Sequence, residues 1–509
     1  MAGGLLNLIS TGNNNVILTG NPTKTFFRVT YAKYTNFGLQ KFRIDYDGLR
    51  DLRLTEPSTF SFKMPRYAEL LMDTYLVVNI PTIWSPIYNP CQQTTNIWAP
   101  YDFRWIRELG TNLTPELNDP ANAFSRQNTY PSAYYAGPGA TAEPSIRGTT
   151  LYIPINTWFT LDSRCAFPMI SLQYNELYMT VTMRPIQELF QVRDVFDPAN
   201  NFPYIQPDFN QPQFNMYQFL QTPIFDLSTD SWPITANTWN ADIHLLSTYC
   251  FLTGEESRRF AAEDQVYLVK DVFEYTFNNV TGSQKVQLTS SGMISSWMMY
   301  FQRNDANMRN EWSNYTNWPY ANLPQDVQLA PNTAPDPTGN PIIAPGQNPN
   351  NPSFRLSTGI FITGPLAVQN QKEILETMAI VLNGDYRENV LESGIYNLVE
   401  KYVRTRGAAK EGLYCYNFCL NTDPFEYQPS GAINLSKFRT IELEITTYTP
   451  PYDIQNSQYN IVKDSNGNPI VVTKNNWQLF EYNYNMKVFE ERYNILSFIG
   501  GNCGMLYAR

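Results

Sequence analysis

Strict two-residue alternation is the feature that most limits what this 509-residue chain can fold into. Leu177, Met179, Val181 and Met183 are separated by single Tyr or Thr residues, and Ile441-Glu-Leu-Glu-Ile445 repeats the pattern far downstream. Successive side chains of a strand point to opposite faces, so such a stretch is a strand with one buried and one wet face. That is the signature of antiparallel sheets. Further strands are expected at Leu39–Tyr46, Leu49–Met64, Met72–Ile80, Leu151–Phe159, Leu172–Met183 and Ile243–Leu252. The second half repeats the plan at Val266–Phe277, Lys285–Leu288, Met293–Phe301, Ile374–Leu382, Leu413–Leu420, Leu435–Tyr448, Phe480–Phe489 and Ile495–Ile499. In Val266–Phe277, Val266, Leu268, Lys270, Val272 and Glu274 share one face, and Tyr267, Val269 and Phe273 the other.

Local signals punctuate this series. Asn21-Pro22 opens a turn, and the aromatic, β-branched run from Thr25 predicts a first strand with Phe27, Val29 and Tyr31 on one face. Asp47-Gly48 and Asn383-Gly384 read as hairpin turns. Leu391, Ile395, Leu398, Val399 and Tyr402 stand at helical spacing and predict a helix over Leu391–Val403. Residues 84–150 and 304–371 read as long insertions. Between Trp318 and Pro352 lie nine of the chain's 36 prolines, a density no strand ladder tolerates. The charged run Gly254–Arg259 reads as an exposed boundary. The sequence therefore divides into an arm at 1–25, a first domain at 26–262 and a second at 263–509. The fold class is all-β: two tandem antiparallel sandwiches with long loops and a few short helices.

Composition limits function. The chain is 43% hydrophobic and 15% aromatic, enough for two sizeable cores. Its formal net charge of −10 opposes broad binding to nucleic acid. No run reaches the roughly 20 apolar residues of a spanning helix, and nothing near the start reads as a secretory signal. Cys91, Cys165, Cys250, Cys415, Cys419 and Cys503 are scattered, which fits reduced thiols. With that setting, the sequons at Asn112, Asn279, Asn314 and Asn434 read as chance matches.

Chemistry is hard to build from these residues. The only histidine, His244, reads as structural, so no Ser-His-Asp or Cys-His set forms without it. Zinc-ligand spacings are absent. Glu442 and Glu444 could supply a glycosidase pair, but alternate strand positions make them a solvent face first. Cys415 and Cys419 read as small buried hydrophobes. Gly500-Gly501-Asn502-Cys503-Gly504 precedes no helical pattern and is no phosphate loop. Lys401, Arg404, Arg406 and Lys410 form a basic run, read as a solvated loop. The expectation is no enzyme, with no catalytic, cofactor-binding or metal-ligating residues. A jelly-roll carbohydrate-binding or carbohydrate-cleaving protein is the alternative.

Four stretches carry a resemblance: the Met-Ala-Gly-Gly-Leu arm running into Leu18–Phe27 and Tyr31–Phe37, then Pro168–Glu176, Gln428–Phe438 and Tyr493–Ala508. Together they are similar to the major capsid proteins of nucleocytoplasmic large DNA viruses, from end to end of the chain. The resemblance implies a double jelly roll of two eight-stranded sandwiches. It implies homotrimers forming pseudo-hexagonal capsomers that tile an icosahedral shell over an inner membrane, assembled in the host cytoplasm. The partners it implies are neighbouring capsomers, minor capsid or cement proteins, and penton proteins. Family members often carry glycans, in some cases attached outside the usual sequon.

Overall fold

The computed structural model describes residues 3–10, 12–84, 106–109, 148–193, 204–211, 215–222, 232–306, 312–317, 372–405, 409–423, 426, 428–449, 459–463, 469–474 and 482–507. Both expected insertions lie largely outside them. In the first half the main strands are β1 (Phe37–Asp45), β2 (Ser58–Lys63), β3 (Leu70–Ile80), β4 (Thr149–Pro154), β5 (Tyr178–Met183) and β6 (His244–Leu252). One sheet runs β1-β6-β3-β4, antiparallel throughout, and β2 pairs with β5. Between them lies a core holding Phe60 and Phe62 of β2, Leu71, Leu76 and Val78 of β3, and Leu245 and Tyr249 of β6. Met179, Val181 and Met183 pack against it, while Thr180 and Thr182 face out, as alternation requires.

The helix Gly254–Ala262 (α1) leads to the second half, so the charged run at 254–259 is helical, with Glu255 and Glu256 in its first turn. There follow β7 (Gln265–Phe277), β8 (Ser283–Gln287), β9 (Met293–Arg303), β10 (Leu375–Leu382), β11 (Asp385–Glu392), α2 (Glu400–Arg404), β12 (Leu413–Asn417), β13 (Ile441–Thr447), β14 (Tyr484–Ile499) and β15 (Asn502–Met505). One sheet has the order β7-β14-β9-β12, with β15 added to β14; the facing sheet runs β8-β13-β10-β11. Ile441, Leu443 and Ile445 of β13 enter the second core with Trp297, Met299, Phe301, Tyr484, Met486 and Val488. Asn383 (φ 54°) and Gly384 (φ 90°) make the two left-handed residues of the turn between β10 and β11.

The two cores share a ribbon. All thirteen residues of β7 pair in unbroken register with β14, from Gln265↔Phe498 to Phe277↔Met486. Met486 and Val488 sit in the second core, whereas Leu496, Phe498 and Val269 sit in the first. Phe498 meets Phe167 and Tyr267 edge-on, and Tyr267 also contacts Trp158. Between the cores, Glu490 (0% exposed) and Arg492 form an ion pair at 2.5 Å. Glu490 also accepts from Trp297 Nε1 at 2.8 Å and Ser290 Oγ at 2.5 Å, while Arg492 stacks 3.8 Å over Phe273 and donates to Tyr275 Oη at 2.7 Å.

Several expectations fail for identifiable reasons. Residues 26–36 form no strand, and the first begins at Phe37. A β-favouring sequence needs a partner strand, and none among the described residues pairs with it. Asp47-Gly48 does not fold one strand onto the next: β1 pairs with β6, and Asp51–Leu52 pairs with Trp239–Asn240. Leu391 lies in β11, because the hairpin at Asn383-Gly384 carries pairing on to Glu392; helical turns begin only at Ser393. Phe480–Phe489 and Ile495–Ile499 are not two strands, since β14 runs unbroken from Tyr484 to Ile499.

Removing one partner of a buried ion pair strands the other charge. Arg492→Met is expected to destabilise the protein by about 3–5 kcal/mol, and Glu490→Gln with Arg492→Met by less than the single change. Chemical denaturation of the wild type and the two variants checks this.

Candidate assembly surfaces

His244, Glu444 and the cysteines singled out for chemistry are occupied by structural contacts. His244 is the first residue of β6, its Nδ1 2.6 Å from the Asp242 carbonyl. Asp242 takes both forks of Arg43, at 2.6 and 3.0 Å, which holds its carboxyl below the usual range. Glu444 pairs with Lys285 and accepts from Tyr386 Oη at 2.9 Å on the outer face of its sheet. Cys415 lies in β12 and Cys419 beyond its end, both buried, and burial pushes the Cys415 thiol up. Among the described residues, no group of three or more His, Cys, Asp or Glu could hold a metal ion. No helix among them is long and apolar enough to cross a membrane.

Gly500 and Gly501 (φ 59° and 82°) turn β14 into β15. The Gly501 carbonyl accepts from the amides of Gln173 and Tyr174 at 2.9 and 3.1 Å, and a Cβ on Gly501 would stand 2.8 Å from Gln173 Cβ. The loop at 168–176 and the terminal hairpin therefore dock on each other. Gln428–Phe438 returns to β9, where Ile433 and Asn434 pair with Ile294 and Met293, and Leu435 is fully buried.

What the sequence left unread is an apolar exterior. Helices at Gly3–Ile9 and Val16–Thr19 leave Leu5, Leu6, Leu8, Ile9, Ile17 and Leu18 exposed, and Phe27 is 98% exposed beyond them. On β7, Val266, Leu268 and Val272 face outward. The helical segment at 395–404 is turned against its own pattern. It buries Asn397 and Lys401 beside Tyr396 and presents Leu398 (66% exposed), Val399, Tyr402 (88%) and Val403. Beside it a groove of about 970 Å³ is lined by Met298, Tyr300, Tyr315, Leu413 and Phe489 among others. Lys401 thus leaves the expected basic run and forms part of the groove wall. Only accessibility, not spacing, separates these faces from core, so pattern reading assigns them inward.

Models of two families match: "Large eukaryotic DNA virus major capsid protein" over residues 256–504 and "Major capsid protein N-terminus" over residues 140–220. The chain belongs to the major capsid proteins of large eukaryotic DNA viruses. The major capsid protein of Phaeocystis pouchetii virus is 24% identical, covering 87% of this chain and 93% of its own length. That of Paramecium bursaria Chlorella virus 1 is 22% identical, with both chains covered in full. Among solved structures, a chain of the PBCV-1 virus capsid has a TM-score of 0.55 at 19% identity, covering 95% of this chain and all of its own. The Faustovirus major capsid protein has a TM-score of 0.51 at 12% identity, covering 95% of this chain and 94% of its own. The fold is a double jelly roll, and the role of a major capsid protein is structural.

The four sequons differ in access. Asn112 lies outside the described residues, and Asn279 and Asn434 are exposed. Asn314 is buried, its side-chain oxygen accepting from the Thr316 amide at 3.0 Å and the Thr316 hydroxyl at 2.7 Å. Peptide mass spectrometry is expected to find Asn314 unmodified in folded protein; a glycan there contradicts this packing.

Proposed function

We propose that three copies of this chain form a pseudo-hexagonal capsomer, and that capsomers tile the icosahedral shell of a large double-stranded DNA virus above an inner membrane. The observation that carries this reading is the apolar exterior of a family member: outward Val266, Leu268 and Val272 on β7, and Leu398, Tyr402 and Val403 on the helical segment. Contiguous apolar surface on a soluble subunit marks contact sites. An obligate trimer buries area well beyond ~2,000 Å². Contacts between capsomers stay individually weak, since each has many neighbours. Minor capsid or cement proteins and penton proteins complete the shell, and assembly takes place in the host cytoplasm. We read the subunit as a structural protein that turns over no external substrate.

Within the subunit we divide the chain into an arm at 1–25 and jelly rolls at 26–262 and 263–509, the second lending the end of its β7–β14 ribbon to the first core. Exposed Leu5, Leu6, Leu8 and Ile9 suit the arm to latch neighbouring subunits beneath the shell. The insertions at 84–150 and 304–371 lie largely outside the described residues; their proline-rich composition suits the outer, host-facing end, since surface loops tolerate exposure and variation.

Size measurement with negative-stain imaging of purified protein tests the reading: trimers and hexagonal arrays are expected without ligand, and a monomer at high concentration refutes it. Deleting residues 1–20 is expected to leave soluble trimers but impair shells. Leu398→Ser with Tyr402→Ser is expected to change subunit stability by no more than about 0.5 kcal/mol, as exposed sites do, while weakening association in sedimentation. Limited proteolysis of intact particles is expected to cut first within 84–150 and 304–371.

A further inference from the structure

The inverted helical segment buries an amine, a carboxamide and a carboxylate against one another. Asn397 sits in the π-helical turn Ile395–Val399 and Lys401 follows four residues later in α2, so their side chains share one face. That face is turned inward: Lys401 is 9% and Asn397 8% exposed. Lys401 Nζ lies 2.7 Å from Asn397 Oδ1. The other end of the same carboxamide, Nδ2, donates to Glu373 Oε1 at 3.1 Å, and Ser393 Oγ fixes the second carboxylate oxygen at 2.6 Å.

We propose that the folded chain joins Lys401 to Asn397 by an intramolecular isopeptide bond, with Glu373 carrying the proton. The lone pair of Lys401 Nζ attacks Asn397 Cγ, forming the Nζ–Cγ bond. In the tetrahedral intermediate both nitrogens are attached to one carbon, so a carboxylate already on Nδ2 reaches Nζ as well. Glu373 takes a proton from Nζ and delivers it to Nδ2; the Cγ–Nδ2 bond breaks and ammonia leaves. One primary amide and one amine become one secondary amide and ammonia, with no oxidant or reductant.

Three features favour the step. Amines attack only when neutral, and burial holds Lys401 below the usual lysine range despite the nearby Glu373. The fold holds amine and carboxamide in contact, which replaces a bimolecular encounter by an intramolecular one. Burial keeps competing water from the carboxamide, while the groove that Lys401 borders offers ammonia an exit. The product is a covalent staple across the turn where the π-helical segment passes into α2.

Mass spectrometry of the full-length protein tests this. The wild type is expected one ammonia lighter than its sequence, and trypsin acting on denatured protein should fail at Lys401, releasing Glu388–Arg404 intact. Glu373→Gln preserves shape and hydrogen bonding; it is expected to fold, keep its full mass and be cut at Lys401. Lys401→Met should also keep its full mass. A wild type at full mass, or one cut normally at Lys401, overturns the proposal. Loss of ammonia with normal cleavage at Lys401 also overturns it, since that marks cyclisation of Asn397 alone. A Glu373→Gln protein as light as the wild type removes Glu373 from the reaction.

Discussion

The pairing of β7 with β14 governs how the rest of the chain is arranged. Alternation places Tyr267, Val269, Phe273, Tyr275 and Phe277 on one face of β7, and Met486, Val488, Glu490, Arg492, Leu496 and Phe498 on the same face of β14. One ribbon thus supplies apolar walls to two cores, with a charged pair where they meet. A slip of one residue would turn every one of these side chains outward and bring Glu491 in. Burying a carboxylate and a guanidinium costs several kcal/mol per ion. Here the cost is offset by the bonds from Trp297 and Ser290 to Glu490, and by the Phe273 ring and Tyr275 hydroxyl against Arg492. Those partners exist only in the observed register, so the polar cluster specifies alignment while the apolar flanks supply most of the stability.

The opposite face of the same ribbon is organised for other contacts. Glu491 points out beside Lys270 at 3.7 Å and accepts from Ser295 and Ser296, both at 3.2 Å. Two consecutive serines reach one carboxylate because the β9–β14 register shifts between Ile294 and Ser296, and a bulge turns adjacent side chains toward the same side. Near this polar patch lie the outward Met298 and the apolar groove. A shell subunit needs such division: one face that fixes its own fold, and another left free for neighbours.

Much of the fold was legible because period-two patterning is a direct record of burial. β5 and β13 fall where alternation is strictest, and Asn383-Gly384 turns as its residues demand. Errors cluster where a segment's partner is missing or its faces are reversed. Phe26–Asn36 has strand composition, yet no strand among the described residues pairs with it. Leu398 and Tyr402 sit at helical spacing, yet they point away from the core. Leu391 fits the helical period and belongs to a strand, because long-range pairing with β10 outweighs local preference. The candidate site was legible only in its negative part, since assembly surfaces are made of the same residues as cores.

That confusion has a physical root. A subunit interface and a core both remove apolar surface from water, and sequence patterning records the removal without recording which chain does it. Side chains with polar tips break the tie. A segment that buries Asn397 and Lys401 beside Tyr396 while exposing Leu398, Val399, Tyr402 and Val403 bears a desolvation cost on its inner face and leaves much of its apolar surface uncovered. Such an arrangement is stable in a shell when two conditions hold: the inner polar groups bond to each other, as Glu373, Asn397 and Lys401 do, and neighbouring subunits cover the outer apolar face. The inverted segment is therefore more telling about assembly than any apolar patch alone, because its orientation makes sense only for a chain that folds to be packed.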